Sequence, residues 1–340
     1  MRKYAIALMR GDGIGPEVSN AALAVLNAIS EKFSIDFDIV DAPAGDVMLK
    51  KRGEALPKDT ISAIRDSDAC LKGPVGESAM DVIVKLRQMF DLYANIRPAK
   101  SYSTIKALRP DVDLVIVREN TEDLYRGIEA DMGDSAIAVR VISRRASERI
   151  SEYAFKIAAS RRKNVVAVHK ANVMKKTCGL FAKVSGEVSQ RHSGIAFREM
   201  YVDACAMNLI RNPQDFDVIL TMNMFGDILS DEAAQVVGGL GLVPSANIGE
   251  KKALFEPVHG AATDIAGKGI ANPIATILSV KMMLEWIAMS RGDVKCAKAA
   301  EAVEKAVVSS LKKGIKTPEL GGKKSTREVA IAIASAILAQ

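Results

Sequence analysis

Asp227 and Asp231, in Asn223-Met224-Phe225-Gly226-Asp227-Ile228-Leu229-Ser230-Asp231, are four residues apart and would share one face of a helix. Like charges at that spacing repel unless a cation or an arginine lies between them, and oxygen-only donors suit magnesium or manganese. A solvated acidic helix start would leave the same pattern. Asp203, in Tyr201-Val202-Asp203-Ala204, is a lone carboxylate in apolar company and needs a partner. Arg87, Arg97 and Arg118 all stand at element ends. Arg97 precedes Pro98, which places it in an extended segment. Guanidinium groups grip carboxylates through two parallel hydrogen bonds, although any one of these arginines alone reads equally well as a surface residue. Lys170 follows the apolar run 165–169; burial or nearby cations would make it a general base, and without them it is an ordinary surface lysine.

A second group of residues suits phosphate or nucleotide chemistry. Gly11-Asp12-Gly13-Ile14-Gly15-Pro16-Glu17 joins a strand to a helix, the arrangement that turns backbone N–H groups toward an anion. It is not the dinucleotide fingerprint: the third glycine of GxGxxG falls on Pro16 counted from Gly11, and on Ser19 counted from Gly13. Glu256-Pro257-Val258-His259-Gly260 leads through Asp264 to Gly267-Lys268-Gly269-Ile270-Ala271-Asn272-Pro273. Two polar, glycine-bearing loops of this kind wrap a nucleotide or are simply turns.

Short apolar runs at 4–9, 37–40, 69–72, 113–117, 164–168 and 217–221 read as strands, and 16–31 and 58–66 read as helices. Their alternation indicates an α/β fold with a largely parallel sheet, in which ligands sit beyond the carboxyl ends of the strands. The segment 131–145, apolar at 136–141, reads as a strand or a small arm. The tail from 301 to 340 is helical at both ends and broken by Thr317-Pro318 and Gly321-Gly322.

At 340 residues the chain has room for two domains. Its 49% hydrophobic and 26% charged residues are those of a globular protein and not of a disordered one. A net charge of +6 admits nucleic acid, an anionic membrane or an acidic small substrate as partner. Against nucleic acid, Lys50-Lys51-Arg52 and Arg161-Arg162-Lys163 are short, far apart and without aromatic neighbours. Against a membrane, the apolar runs 274–280 and 329–340 are too short for a span of about 20 residues, and no secretory leader is visible. Cys70, Cys178, Cys205 and Cys296 are scattered without a CxxC, which fits reduced core cysteines in a cytoplasmic protein.

Seven segments in collinear order resemble the isocitrate/isopropylmalate dehydrogenase family of β-decarboxylating hydroxyacid dehydrogenases. They are GDGIGPE (11–17), KLRQMFDLYANIRP (85–98), RENTEDLY (118–125), HKAN (169–172), VDACAMNL (202–209), NMFGDILSDEAAQVVGGLGL (223–242) and EPVHGAATDIAGKGIANP (256–273). The resemblance implies a two-domain α/β fold that is not a Rossmann fold. One cofactor-binding domain would come from both chain ends, 1–97 plus 241–340. The middle, 98–240, would form the dimerisation, metal and substrate domain. It implies a homodimer, or an assembly of dimers, with shared active sites.

The reaction implied is oxidation of a 3-substituted malate at its C2 hydroxyl by a nicotinamide, followed by loss of CO2. By resemblance, Asp227 and Asp231 of one subunit and Asp203 of the other hold Mg2+ or Mn2+. Lys170 of the other subunit is the general base, Tyr125 assists protonation of the enol, and Arg87, Arg97 and Arg118 hold the malate carboxylates with Asn172 nearby. Gly13, Ile14, Glu256, His259, Gly260, Ala261, Asp264 and Asn272 line the cofactor site. A carboxylate at Asp264 accepts from a free ribose 2′-hydroxyl and repels a 2′-phosphate, which favours NAD. Around the 3-substituent, isocitrate members carry serine and asparagine and homoisocitrate members an extra arginine. Here the preceding helical turn offers Asp81, Ile83 and Val84. Ile83 and Val84 favour an isopropyl group, and with it 3-isopropylmalate and a step of leucine biosynthesis. Homoisocitrate and isocitrate remain the alternatives within the family.

Overall fold

The computed structural model describes residues 3–79 and 81–340. The chain opens with β1 (Lys3–Met9), α1 (Gly15–Phe33), β2 (Asp36–Asp41), α2 (Asp46–Arg52), α3 (Lys58–Asp66) and β3 (Ala69–Lys72). It crosses the molecule through α4 (Asp81–Met89), β4 (Ala94–Lys100) and β5 (Asp113–Glu119). An arm of β6 (Glu129–Asp131) and β7 (Ala136–Ala138) precedes α5 (Arg144–Ala159), β8 (Asn164–His169), α6 (Thr177–Ser189) and β9 (Ala196–Tyr201). Then come α7 (Val202–Arg211), β10 (Val218–Thr221) and α8 (Asn223–Val236). The return runs through β11 (Pro244–Ile248), β12 (Ala253–Pro257), α9 (Ile274–Arg291), α10 (Val294–Lys312) and α11 (Thr326–Leu338).

Ten strands form one sheet in the order β2-β1-β3-β12-β11-β4-β5-β10-β8-β9. Both outer portions are parallel, and β11 and β4 run antiparallel to their neighbours at the centre. Strands from the two chain ends thus lie on one side of β4, and those of the middle segment on the other. The expected boundaries at 97/98 and 240/241 fall inside β4 and inside a short 3-10 turn, Leu240–Leu242. Sheet and core pass through them without a break: one apolar cluster holds Ile6 and Leu26 together with Phe155 and Phe181.

Strands buried on both faces are the ones that read as continuous apolar runs; Val218–Thr221 is buried along its whole length. The central pair is different. β4 and β11 bury Asn95, Ser245 and Asn247, which bond one another: Asn95 Nδ2 donates to Ser245 Oγ at 2.9 Å and to Asn247 Oδ1 at 3.0 Å. The segment 136–141 is a strand at Ala136–Ala138 and pairs with β6 as a separate, exposed two-stranded arm. All four cysteines are buried. Among the described residues no helix is long and apolar enough to cross a membrane.

Candidate active site

The parallel strands end at a cleft of about 370 Å³, walled by the loop after β3, by α4, by the end of β12 and by α8. Glycine makes two of its close approaches possible. At Gly13 (φ +58°) a Cβ would lie 1.9 Å from the Ala261 carbonyl, so only glycine lets the turn after β1 reach the 261 loop, where Ile14 N–H donates to Ala261 O at 2.9 Å. At Gly226 a Cβ would lie 2.6 Å from Arg118 Cγ; its absence lets that arginine lie along α8.

Arg87, Arg97 and Arg118 converge from α4, β4 and β5, and all three are buried. Arg87 Nε donates to Asn247 Oδ1 at 3.0 Å. Arg97 Nη1 donates to Ser230 Oγ at 2.7 Å and lies 3.3 Å from Asp227 Oδ1 and 3.4 Å from Asp231 Oδ1. Arg118 Nε and Nη2 donate to Asn223 Oδ1 at 3.0 and 2.7 Å, and Nη1 donates to Asp227. Burial, then the Arg118 charge, lowers Arg87 to about 10, so it remains a cation at neutral pH. Gathering three cations out of water is costly without anions, and Asp227 is the one they share.

The two carboxylates on α8 differ. Burial alone would raise Asp227, but the charges of Arg118 and Arg97 and the Tyr125 hydrogen bond outweigh it and hold the carboxyl below its ordinary range. Burial raises Asp231, and the Asp227 charge adds to that rise. Tyr125 sits on the 3-10 turn Leu124–Arg126 and donates to Asp227 Oδ2 at 2.5 Å; burial raises its phenol, which keeps the proton at neutral pH.

Ile83, Val84, Arg87, Arg97, Tyr125, Asp227, Glu256, His259 and Gly260 all line this cleft, and Arg118 and Asp231 adjoin it. Gly13 and Ile14 meet Ala261, next to Gly260 in the chain, while Asp264 is exposed. Asn272 is buried, with Oδ1 accepting from Ile274 N–H. Lys170, Asn172 and Asp203 do not line the cleft. Lys170 Nζ instead donates to Asp203 Oδ1 at 2.6 Å, which lowers that carboxyl, and Asn172 is exposed. Among the described residues no three acidic, histidine or cysteine side chains of one chain gather to hold a metal.

One participant escaped sequence reasoning. Lys72 ends the buried strand β3 and pairs with Glu256 at 2.8 Å, both nearly buried. The Lys72 and Arg87 charges outweigh burial and bring Glu256 to about 2. Like Lys170, Lys72 is a lysine at a strand's carboxyl end.

Two carboxylates with oxygen-only donors fit part of a divalent-cation site, which further oxygens would have to complete. His259 Nε2, in the cleft lining, and Asn272 Nδ2 are buried without a hydrogen-bond partner, and a Cβ at Gly260 would meet open space. His259 Nδ1 donates to Gly260 O at 3.0 Å, which leaves Nε2 an acceptor; that unsatisfied acceptor beside open glycine backbone, and the unsatisfied amide donor of Asn272, fit a polar ligand such as a nucleotide.

A family model described as isocitrate/isopropylmalate dehydrogenase matches residues 5–333. The 3-isopropylmalate dehydrogenase of Saccharolobus solfataricus is 52% identical over 328 residues, covering 96% of this chain and 97% of the relative. That of Archaeoglobus fulgidus is 53% identical over 331 residues, covering 97% and 98%. The crystal structure of isocitrate dehydrogenase from Methylococcus capsulatus superposes with a TM-score of 0.91 at 43% identity, covering 99% of this chain and 100% of that one.

Proposed function

The chain belongs to the isocitrate/isopropylmalate dehydrogenase family of oxidatively decarboxylating enzymes for malate-type substrates, and on that premise we propose that it converts 3-isopropylmalate and NAD to 4-methyl-2-oxopentanoate, CO2 and NADH. The observation that carries the substrate is the division of the cleft. Three buried arginines and Asp227 gather at one end, and Val75, Ile83 and Val84 line the wall. Lys72, the remaining cation in the lining, is committed to Glu256. Malate carboxylates thus face the arginines, an isopropyl group has an apolar wall, and no basic side chain stands among Val75, Ile83 and Val84 to receive a third carboxylate.

Arg87, Arg97 and Arg118 bind and orient the two carboxylates of the malate unit. Asp227 and Asp231, with Asp203 of a second copy, would hold Mg2+ or Mn2+. The bound cation supplies Lewis acidity that favours loss of the hydroxyl proton and steadies the enolate left by decarboxylation. Lys170 of the second copy takes the C2 hydroxyl proton, and Tyr125 delivers a proton to the enol carbon. Gly13, Ile14, Glu256, His259, Gly260, Ala261 and Asn272 would line the site for NAD, which would supply the acceptor for the C2 hydride, and Asp264 would accept hydrogen bonds from a ribose hydroxyl.

The second copy is supported by the mutual pairing of Lys170 and Asp203 away from the cleft, and by the exposed apolar side chains of Met207, Ile210 and Ile228 on α7 and α8. We assign the division into 1–97 plus 241–340 and 98–240 to the two sides of β4, and the cytoplasm as location. With 3-isopropylmalate, NAD and Mg2+, equal amounts of NADH, CO2 and 4-methyl-2-oxopentanoate should form. NADH without CO2 would contradict the decarboxylation.

A further inference from the structure

Asp123 has no part in the chemistry above, yet it is held tightly beside it. It is fully buried, with φ +70° and ψ −148°, a region that residues other than glycine avoid. Strain of that kind persists only where the surroundings over-determine it, and here they do.

Its carboxylate joins three pieces of chain. Oδ1 accepts from Leu124 N–H at 2.9 Å, at the start of the turn that carries Tyr125. Oδ2 accepts from Met224 N–H at 3.1 Å, in the first turn of α8, three residues before Asp227. Arg140, on the return from the arm, donates from Nη2 to Oδ2 at 2.7 Å and brings Nε within 2.6 Å of Oδ1. The Asp123 N–H donates to Val141 O at 2.9 Å. Arg140 is itself held, with its guanidinium carbon 4.4 Å from the centre of the Phe225 ring on α8.

We propose that Asp123 is a positioning residue: its buried carboxylate clamps the Tyr125 turn to the start of α8, and so sets the Tyr125 hydroxyl against Asp227. The proposal rests on Tyr125 being the group that protonates the enol. Tyr125 stands two residues after the clamp on one side, and Asp227 three residues after it on the other. Between them is a single 2.5 Å hydrogen bond that a small rotation of either segment would break. A displacement of about 1 Å in a reacting group is enough to cost orders of magnitude in rate.

The test is a double-mutant cycle in the full-length protein with 3-isopropylmalate, NAD and Mg2+. Tyr125→Phe and Asp123→Asn should each lower kcat by at least about tenfold, with KM changed by less than about threefold. The double variant should be no slower than Tyr125→Phe within about threefold, because the clamp acts through a hydroxyl that is already gone. Asp123→Gly, which relieves the backbone and lacks the carboxylate, should fold and show the same kinetics as Asp123→Asn. Without substrate or metal, hydrogen exchange at the Met224 amide should be faster in both Asp123 variants and unchanged in Tyr125→Phe. Losses that multiply in the double variant, or full turnover in a folded Asp123 variant beside a slow Tyr125→Phe, would overturn the clamp alone. Wild-type turnover in Tyr125→Phe would overturn the role of Tyr125 and the clamp with it.

Discussion

Replacing Val84 by arginine puts a charge into the wall that separates one family substrate from another. Val84 is half-buried on α4 and faces the cleft beside Ile83 and Val75. An isopropyl group buried there gains about 2 kcal/mol, at about 0.8 kcal/mol for each CH2-sized group. Val84 supplies roughly a third of that contact, and the new guanidinium adds a desolvation cost of about 1–3 kcal/mol when an apolar group occupies the site. Asp81, three residues earlier, is exposed and lies 3.9 Å from Lys85, so capture of the guanidinium by Asp81 offsets only a few tenths of a kcal/mol. With isocitrate or homoisocitrate the same cation gains a carboxylate partner. The difference is about 2–3 kcal/mol, so the ratio of kcat/KM for isopropylmalate over homoisocitrate should fall by at least about tenfold. The assay is initial-rate NADH absorbance with both substrates on one preparation, whose fold is confirmed by its melting temperature. An unchanged ratio would show that this turn of α4 does not read the 3-substituent.

Three further outcomes follow from the site. Lys170→Met and Asp231→Asn homodimers should both be nearly inactive, and co-refolding them should restore part of the activity; mixed dimers without activity would refute the placement of these residues on opposite subunits. Wild-type kcat/KM for NAD should exceed that for NADP by at least about tenfold, roughly 1.4 kcal/mol, and equal values would remove Asp264 from the ribose. Glu256, brought to about 2 from an ordinary 4.5, contributes stability that is complete above pH 4.5 and is lost as pH falls toward 2. Urea unfolding across that window should therefore show a loss of about 3 kcal/mol that is absent in Glu256→Gln, and identical slopes in both proteins would contradict the Lys72–Glu256 pairing.

What the sequence made legible follows the physics of each element. Strands buried on both faces, such as 69–72 and 164–168, appear as apolar runs and lie where expected, and 58–66 is a helix with its expected bounds. The central strands β4 and β11 escaped that reading because their buried positions include Asn95, Ser245 and Asn247, whose partners come from across the sheet. The edge strand β9 escaped it for the opposite reason, being exposed or half-exposed throughout. At the cleft, the arginines and carboxylates stood out by residue type and spacing. Lys72 did not, because its significance lies in Glu256, 184 residues away. Asp123 likewise looked like one acidic residue among several in RENTED; only its positive φ and its three partners distinguish it.

The central claim is best tested with the unmodified protein. NAD reduction should be measured with Mg2+ or Mn2+ against 3-isopropylmalate, homoisocitrate, isocitrate, malate and tartrate in parallel, with a chelated control. The division of the cleft into an arginine-lined end and an apolar wall predicts the highest kcat/KM for 3-isopropylmalate and no turnover after chelation. A higher value for homoisocitrate or isocitrate would contradict the assignment of the wall formed by Val75, Ile83 and Val84.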